Sequence, residues 1–313
     1  EGDVLITALD HFSLLGGGTG KTYDSGWLLA FNDANVATFS GGATYDYPIQ
    51  VPEGRGGLTP DLRLSYNSRR VDGILTWIQT DWVGLGWTLD TMEIARKIMP
   101  ATFCDGWVDY ENSFTLLYKG TGYKLIPERT DVAYGRYYCE DEQFLYIERR
   151  NAAGGNGAPN TTSEYWIVKL RDGTVYELGY TTDAEQIFSS NYWSSSVAKY
   201  AGNNSPRVAF RWRADKITDP HGNVIELAYD EATGAEECCN NYRDRASYLS
   251  QVRYNRLVGG TWGTRIRLQR ALRTSDNIND TVSCPYVRLF YQDEFLQKIT
   301  VENYDNGQYH ILR

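Results

Sequence analysis

The sequence predicts an all-β protein in which many antiparallel hairpins form a large curved sheet. Three observations carry this prediction. Short runs alternate between apolar and polar residues, so that Leu62, Leu64 and Tyr66 point one way while Arg63 and Ser65 point the other. Gly, Pro, Asp and Asn cluster between the runs, as expected for turns. Aromatic residues make up 14% of the 313 residues, including 24 Tyr and 9 Trp, and such side chains suit cross-strand pairing.

The overall composition is that of a globular chain with an acidic balance. Hydrophobic residues make up 42% and charged residues 23%, and the formal net charge is −9. Because DNA and anionic lipid surfaces attract basic patches, this charge argues against a nucleic-acid partner and against peripheral membrane binding. No apolar run approaches the roughly 20 residues that a membrane-spanning helix needs. No signal peptide is recognisable, so we expect a mature or trimmed product.

Residues 1–40 are predicted to contain an N-terminal strand, Val4–Leu15, and a glycine-rich loop. The loop ends in Gly-Lys-Thr at positions 20–22 and therefore invites comparison with a nucleotide-binding P-loop. That motif requires a glycine where this chain has Leu15, and the following Tyr23–Trp27 is a poor start for a helix. We therefore expect no nucleotide cofactor at this loop.

Residues 41–89 contain the most regular pattern in the chain. Two alternating runs, Thr44–Val51 and Asp61–Tyr66, are predicted to pair as a hairpin across a Pro/Gly-rich turn. The turn glycines, Gly54, Gly56 and Gly57, are interpreted as residues that reverse the chain. The block closes on Gly-Leu-Gly-Trp at positions 84–87.

The middle of the chain shows short runs at hairpin spacing. Asp172-Gly173 lies between two of them and favours a type I′ turn, since glycine accepts a positive φ. A short helix is predicted over Asp183–Ser190, followed by a polar surface insertion over Asn191–Pro206. The predicted strands of this part are Met92–Ile98, Ser113–Tyr118, Tyr123–Ile126, Phe144–Glu148, Tyr165–Leu170 and Val175–Leu178.

Residues 209–234 are predicted to form a strand, a tight turn and a second strand. In the turn, Asp219 caps the backbone, Pro220 fixes φ, and Gly222 with Asn223 completes the reversal. His221 occupies the variable position of this turn and is interpreted as a solvent-facing residue. The remaining predicted strands are Tyr248–Tyr254, Arg265–Leu268, Val287–Tyr291 and Phe295–Val301.

Two of these segments resemble a known family. The segment Pro48–Ser68, PIQVPEGRGGLTPDLRLSYNS, followed by GLGW, is similar to the start of the SpvB-type region. That region occurs in the B components of insecticidal toxin complexes and in related proteins with RHS/YD repeats. The segment Phe210–Asp230 resembles one YD unit. One departure is the link between Ser68 and Gly84, which is longer than the family pattern implies.

The resemblance implies a division of the chain and a function. It predicts an N-terminal part (1–40), an SpvB-type region (41–301) with one YD-like unit (209–234), and a C-terminal end (302–313) after which the parent chain continues. The implied function is that of a non-enzymatic structural module in a secreted or cell-surface toxin-like protein. It would contribute to a β-sheet shell for encapsulation, assembly or surface interaction. Its partners would be other segments of the same protein or a toxin-complex partner, and no cofactor is implied.

Two other functions stay open. A carbohydrate-binding module would use exposed aromatic residues, for which the candidates are Trp77, Trp82, Trp87 and Trp107. The five-residue spacing of the first three prevents them from forming one stripe on a helix or a strand, so core packing is the alternative interpretation. A glycoside hydrolase would need a cleft with two close carboxylates, which a sequence cannot locate.

The cysteines and acidic residues give no metal motif. No Cys-x-x-Cys or His-Glu-x-x-His pattern occurs, so no zinc site is expected. Asp105, Asp109 and Glu111 are interpreted as a solvated acidic loop, with calcium binding as the alternative. The sequence does not fix which cysteines pair in disulfides. The five cysteines are Cys104, Cys139, Cys238, Cys239 and Cys284.

Overall fold

The computed structural model confirms the predicted all-β fold class. The structure describes residues 35–36, 43–72, 81–100, 108–152, 155, 157–189, 207–235, 242–273 and 292–312. Within these residues the strands form two antiparallel sheets, one of four strands and one of fourteen. No helix in this part of the chain has the length and apolar character needed to cross a membrane.

The smaller sheet is built from residues of the 41–89 block. Its strands pair in the order β1 (Asn35–Val36), β2 (Ala43–Pro48), β3 (Arg63–Asn67) and β4 (Trp87–Leu89). A 3₁₀ turn, Arg55–Gly57, lies between β2 and β3, so the predicted hairpin is present. A short helix, α1 (Arg69–Asp72), follows β3. Tyr45, Tyr66 and Trp87 are register partners across three strands and form an aromatic row.

The larger sheet contains the rest of the described chain. Its strands are β5 (Glu93–Pro100), β6 (Val108–Tyr118), β7 (Thr121–Pro127), β8 (Gly135–Cys139), β9 (Tyr146–Arg150), β10 (Tyr165–Lys169), β11 (Val175–Leu178), β12 (Glu185–Ser189), β13 (Arg207–Thr218), β14 (Val224–Ala235), β15 (Tyr242–Arg256), β16 (Trp262–Leu272), β17 (Glu294–Asp305) and β18 (Gln308–Ile311). Strands β5 to β11 pair consecutively, and β13 pairs with both β11 and β5. These eight strands therefore close into a barrel, which the sequence did not predict.

Large aromatic side chains fill the interior of the barrel. Phe114, Trp166 and Trp212 are almost completely buried, and the two indole rings lie 5.9 Å apart between centroids. The Phe114 ring is 5.0 Å from Trp166 in an edge-on arrangement, which aromatic pairs favour. Because the interior is packed with side chains, this barrel is a core and not a channel.

Two buried arginines close one end of this core. The Arg149 guanidinium lies 2.9 Å from Glu164 Oε2, and that of Arg96 lies 3.4 Å from the same oxygen. Tyr134 donates a hydrogen bond to the other carboxylate oxygen at 2.8 Å. Both guanidinium groups also lie over the Phe114 ring, at 5.3 Å for Arg96 and 4.8 Å for Arg149. One carboxylate therefore serves two desolvated cations.

The second core lies where the small sheet packs against strands β14 to β17. From the 41–89 block it receives Leu62, Leu64 and Trp82, and from the large sheet it receives Tyr248, Val252 and other apolar residues. All of these side chains are buried. The two sheets thus form a sandwich joined to the barrel through β12 and β13.

Six short connections of the larger sheet lie at one end, here called the turn end. They are β6–β7, β8–β9, β10–β11, β13–β14, β15–β16 and β17–β18, and they share an end because successive connections of antiparallel strands alternate between the two ends of a sheet. The Asp-Gly turn is present, but it is not of type I′, because Gly173 has φ +87° while Asp172 does not have a positive φ. A Cβ on Gly173 would lie 2.9 Å from Pro220. The two neighbouring turns are therefore in close contact.

One predicted element is wrong and others cannot be compared. The helix predicted over Asp183–Ser190 is a 3₁₀ turn, Thr182–Ala184, followed by strand β12. Pairing of β12 with β13 buries Ile187 in the barrel core, and this tertiary gain overrides a weak local helix preference. Strand β8 was not predicted. The insertion 191–206 and the predicted strands Val4–Leu15 and Val287–Tyr291 lie outside the described residues.

Candidate functional site

The two family-like turns meet at the turn end. Gly56 has φ +64°, and a Cβ on it would lie 2.8 Å from Asn223 Nδ2 and 3.5 Å from Asp219 Oδ2. The glycine is therefore needed both for its backbone conformation and for the close approach of the second turn. Residues that are about 165 positions apart in the sequence act here as one unit.

The Asp219–Asn223 turn is held by its own aspartate. Asp219 Oδ1 accepts hydrogen bonds from the backbone N–H groups of His221 and Asn223, both at 2.8 Å. Its other oxygen accepts from Asn223 Nδ2 at 2.7 Å. The side-chain bond from Asn223, with these backbone bonds, holds the pKa of Asp219 below its usual value. Gly222 has φ +82°, as the predicted turn requires.

A third segment, which sequence reasoning missed, completes this unit. Asn255 Oδ1 accepts a hydrogen bond from the Arg55 N–H at 2.9 Å, and Tyr254 donates to the Pro52 carbonyl at 2.7 Å. The Arg55 guanidinium donates to the Arg256 carbonyl at 3.0 Å. We call residues 52–58, 219–223 and 254–256 the motif clasp. Asn255 has φ +58°, a backbone conformation that asparagine adopts more readily than most residues. In the sequence, the indication of this conformation was an asparagine shortly before the Gly259-Gly260 loop.

Glycines 54 and 57 have different roles in the clasp. Gly54 has an ordinary extended backbone, but a Cβ there would lie 1.7 Å from the Leu58 carbonyl oxygen. Its N–H donates to Thr59 Oγ1 at 2.9 Å. Gly57 has φ +85° with no atom within 4 Å of the position of a Cβ. Gly54 is therefore required by close packing and Gly57 by conformation.

The described tryptophan candidates pack against other aromatic rings. Trp82 is 6% exposed and lies edge-on to Tyr248, with 5.7 Å between ring centroids. Trp87 lies 6.0 Å from Tyr45 and 5.3 Å from Tyr66, within the aromatic row of the small sheet. Trp77 and Trp107 lie outside the described residues. The structure thus places Trp87 in the small sheet and Trp82 in the core between that sheet and strands β14 to β17, where both support the sandwich.

A groove with a cavity volume of about 430 Å³ lies beside the clasp. Its lining includes Asp46, Ser65 and Asp90 from the segment 43–90, and Tyr118 and Tyr176 from strands β6 and β11 of the barrel. Ser65 donates a hydrogen bond to Asp90 Oδ2 at 2.9 Å. Desolvation, with a smaller contribution from the charge of Asp46, raises the pKa of Asp90 above its usual value.

Other reactive residue types form no site in the described chain. His221 and His310 are exposed on turns or edges, and His11 lies outside the described residues. Cys139 is a free, buried thiol whose pKa is raised to about 11, chiefly by desolvation, so it is a poor nucleophile. The other four cysteines and Asp105 lie outside the description. Among the described residues no group of three His, Cys, Asp or Glu side chains is arranged to hold a metal ion.

Comparison with known proteins identifies the family. The family model described as Salmonella virulence plasmid 65kDa B protein, SpvB, matches residues 37–274, well over half of the chain. The chain belongs to the SpvB family. The match covers all three segments of the motif clasp. The resemblance to the SpvB-type region, stated above from the sequence, is therefore confirmed. A search of curated proteins gave no match to this SpvB-family chain.

Solved structures share the fold of this SpvB-family chain. The N-terminal domain of effector protein SpvB from Salmonella typhimurium strain LT2 matches with a TM-score of 0.54 at 15% identity, over 85% of this chain and 91% of that domain. The Photorhabdus luminescens Tc holotoxin pore matches with a TM-score of 0.53 at 16% identity, over 87% of this chain. The crystal structure of TcdB2-TccC3 matches with a TM-score of 0.51 at 15% identity, also over 87%. The chain spans 14% of the length of each of these two toxin chains.

Proposed function

We propose that this chain is a non-enzymatic β-scaffold in a secreted or cell-surface toxin-like protein of the RHS/YD type. In this role it would present its sheets to other segments of the same protein or to a toxin-complex partner, as part of a shell. The observation that carries the proposal is the motif clasp. The two segments that carry the family resemblance, Pro48–Ser68 and Phe210–Asp230, hold the small sheet on the large sheet through hydrogen bonds and close packing at glycine.

Two further observations support a scaffold. The interiors of the barrel and of the sandwich are filled by packed side chains, so each is a rigid element. The same fold occurs within much longer chains whose structures are named as a Tc holotoxin pore and as TcdB2-TccC3. A module that makes up 14% of such chains is suited to a structural part of a larger assembly.

Carbohydrate binding is the second candidate, and one observation favours it. The groove beside the clasp combines the rings of Tyr118 and Tyr176 with the carboxylates of Asp46 and Asp90. Aromatic faces and charged hydrogen-bond acceptors are the groups that a sugar would contact. Glycan-array binding that is lost in Tyr176→Ala would establish this candidate, and the absence of any bound glycan would remove it.

The scaffold proposal is tested on the protein purified from its native source. Electron cryomicroscopy is expected to show the 313-residue fold as one part of the wall of a larger β-assembly, with the outer edge of β18 or β4 paired to further strands. The same preparation is expected to show no turnover of glycosidic substrates. A free particle in which these edges stay unpaired would overturn the proposal. Hydrolysis of a glycosidic substrate that is lost in the variant Asp90→Asn would also overturn the scaffold proposal.

A further inference from the structure

The connection between barrel and sandwich has an unusual bonding pattern. It runs from the end of β11 through the 3₁₀ turn into β12, residues 179–189, and is here called the connector. Thr181 donates from its backbone N–H to Asp215 Oδ2 at 2.7 Å, and its hydroxyl lies 3.2 Å from the same oxygen. Two residues later, Asp183 Oδ2 accepts a hydrogen bond from the Tyr229 N–H at 2.8 Å.

Hydrogen bonds to carboxyl groups recur at every second residue along β12 as well. Glu185 accepts hydrogen bonds from the backbone of Thr161 at 2.9 Å and from the backbone and hydroxyl of Thr162. The Ile187 N–H then donates to Asp244 Oδ2 at 2.7 Å. From Thr181 to Ile187, every second residue is thus attached to its surroundings through a carboxyl group. The partners belong to the barrel on one side and to β14 and β15 of the sandwich on the other.

These carboxyl groups lie in the interior. Glu185 and Asp244 are each 1% exposed and Asp215 is 4% exposed. Asp215 Oδ1 and Glu231 Oε1 are buried atoms without a hydrogen-bond partner among the described residues. A buried carboxylate oxygen that accepts no hydrogen bond is costly when charged, so these groups favour the protonated form.

The surrounding charges add to this preference. Glu231 on β14 is faced by Asp244 from β15, by Asp183 and Glu185 from the connector, and by Arg213 from β13. The Arg213 guanidinium is already engaged, because it donates to the Ser247 carbonyl at 2.5 Å and lies 3.5 Å from Glu93.

Asp215 is faced by Glu177 from β11, which is ion-paired with Lys216, and Glu185 by Glu164 just before β10, which is ion-paired with Arg96 and Arg149. Glu231 is the group with the least compensation, because three acidic groups and one arginine act on it among the described residues.

Desolvation is the main cause of the resulting shifts. It raises the pKa of Glu185 and of Asp215 to about 7, and it raises that of Glu231 to about 9, with Asp244 contributing. Because these folded-state values exceed the unfolded ones, the folded chain binds more protons between about pH 4.5 and these values. Stability from these groups is therefore complete only below their unfolded values, near pH 4, and it falls as the pH rises from there to about 7 for Glu185 and Asp215 and to about 9 for Glu231.

We propose that the connector is a proton-dependent latch between barrel and sandwich. When Glu185, Asp215 and Glu231 carry protons, no negative charge of theirs is buried around the connector, and the latch is closed. When these three groups ionise, desolvated negative charge accumulates beside the connector, and the segment separates locally to hydrate it. This inference does not depend on the proposed scaffold role, since it concerns only contacts within the chain.

Hydrogen exchange of the purified chain tests the latch. After correction for the intrinsic exchange rate at each pH, the protection of peptides covering 179–189 is expected to fall about tenfold between pH 6 and pH 9. Such a change corresponds to about 1.4 kcal/mol of opening free energy. Peptides from the barrel core around Phe114 serve as an internal reference and are expected to change much less.

The variant Glu231→Gln separates the latch from general alkaline loosening. It is expected to keep the connector protected at pH 9, while Glu226→Gln on the same strand should behave as the natural chain, because Glu226 is ion-paired with Arg253 near the surface. Glu185→Gln provides a second variant should Glu231→Gln fold poorly. Equal protection of the connector at pH 6 and pH 9 would overturn the proposal. So would a fall in connector protection that is as large in Glu231→Gln and in Glu185→Gln as in the natural chain.

Discussion

Replacing Glu164 by alanine is expected to lower the free energy of unfolding by about 3–5 kcal/mol, since it leaves two buried guanidinium groups without their carboxylate. Arg96 and Arg149 are 5% and 4% exposed, so water cannot compensate for the lost partner. The loss is expected to loosen the end of the barrel where Tyr134 also contacts this carboxylate. Urea denaturation followed by tryptophan fluorescence measures the change, because Trp166 and Trp212 report directly on the barrel core.

Glu148→Ala is the matched control for this prediction. Glu148 lies on β9 and pairs with Arg150 at 2.7 Å, but both side chains are partly exposed to water. Its removal should cost less than about 1 kcal/mol, as is typical of surface ion pairs. Similar losses in both variants would show that Glu164 does not act as the shared partner of two desolvated cations. Glu164→Gln keeps the side-chain volume and serves where the alanine variant does not fold.

Replacing Gly54 by alanine is expected to cost about 2–4 kcal/mol and to detach the motif clasp. The Cβ would lie 1.7 Å from a backbone oxygen, so the turn must move, whereas a flexible side chain would only rotate away. Movement of the turn should break the contacts of Arg55 and Pro52 with the segment 254–256. Thermal denaturation gives the stability, and hydrogen exchange of residues 52–58 shows whether the clasp has opened.

Gly57→Ala is the control within the same turn. It carries the conformational cost of a positive φ, about 1–2 kcal/mol, without any contact at the new methyl group. We therefore expect the clasp to stay closed in this variant. If Gly57→Ala opened the clasp as fully as Gly54→Ala, backbone conformation and not close packing would be the reason for the glycines of this turn.

Local features of the fold could be predicted from the sequence, because each depends on neighbouring residues. Alternation around Leu62 and Leu64 gave the correct buried face, and the Asp219–Asn223 pattern gave the correct turn. The closure of the barrel could not be predicted. It depends on pairing of β5 with β13, where Ala95 meets Arg211, and no local pattern specifies a partner so far away in sequence.

The motif clasp and the proposed latch could not be predicted from the sequence, for similar reasons. Asn255 is a common turn residue, and only the folded chain shows that its side chain binds the turn at Arg55. Glu185 and Glu231 look like any of the 40 acidic residues until the burial of the Glu185 side chain and of Glu231 Oε1 is known. Trp82 was undecided because a five-residue spacing has no regular face, and the structure places a tight turn between Asp81 and Gly84 at this point.

The hydrogen bond between Arg55 and Asn255 also has a consequence during protein synthesis. The two residues are 200 positions apart, so at about 5–20 residues per second Asn255 leaves the ribosome roughly 10–40 s after Arg55. For most of that interval the nascent β2–β3 hairpin lacks strands β14 and β15, which pack with Leu62 and Leu64 in one core of the finished chain. The segment with the strongest family pattern is thus among the last to gain its native contacts.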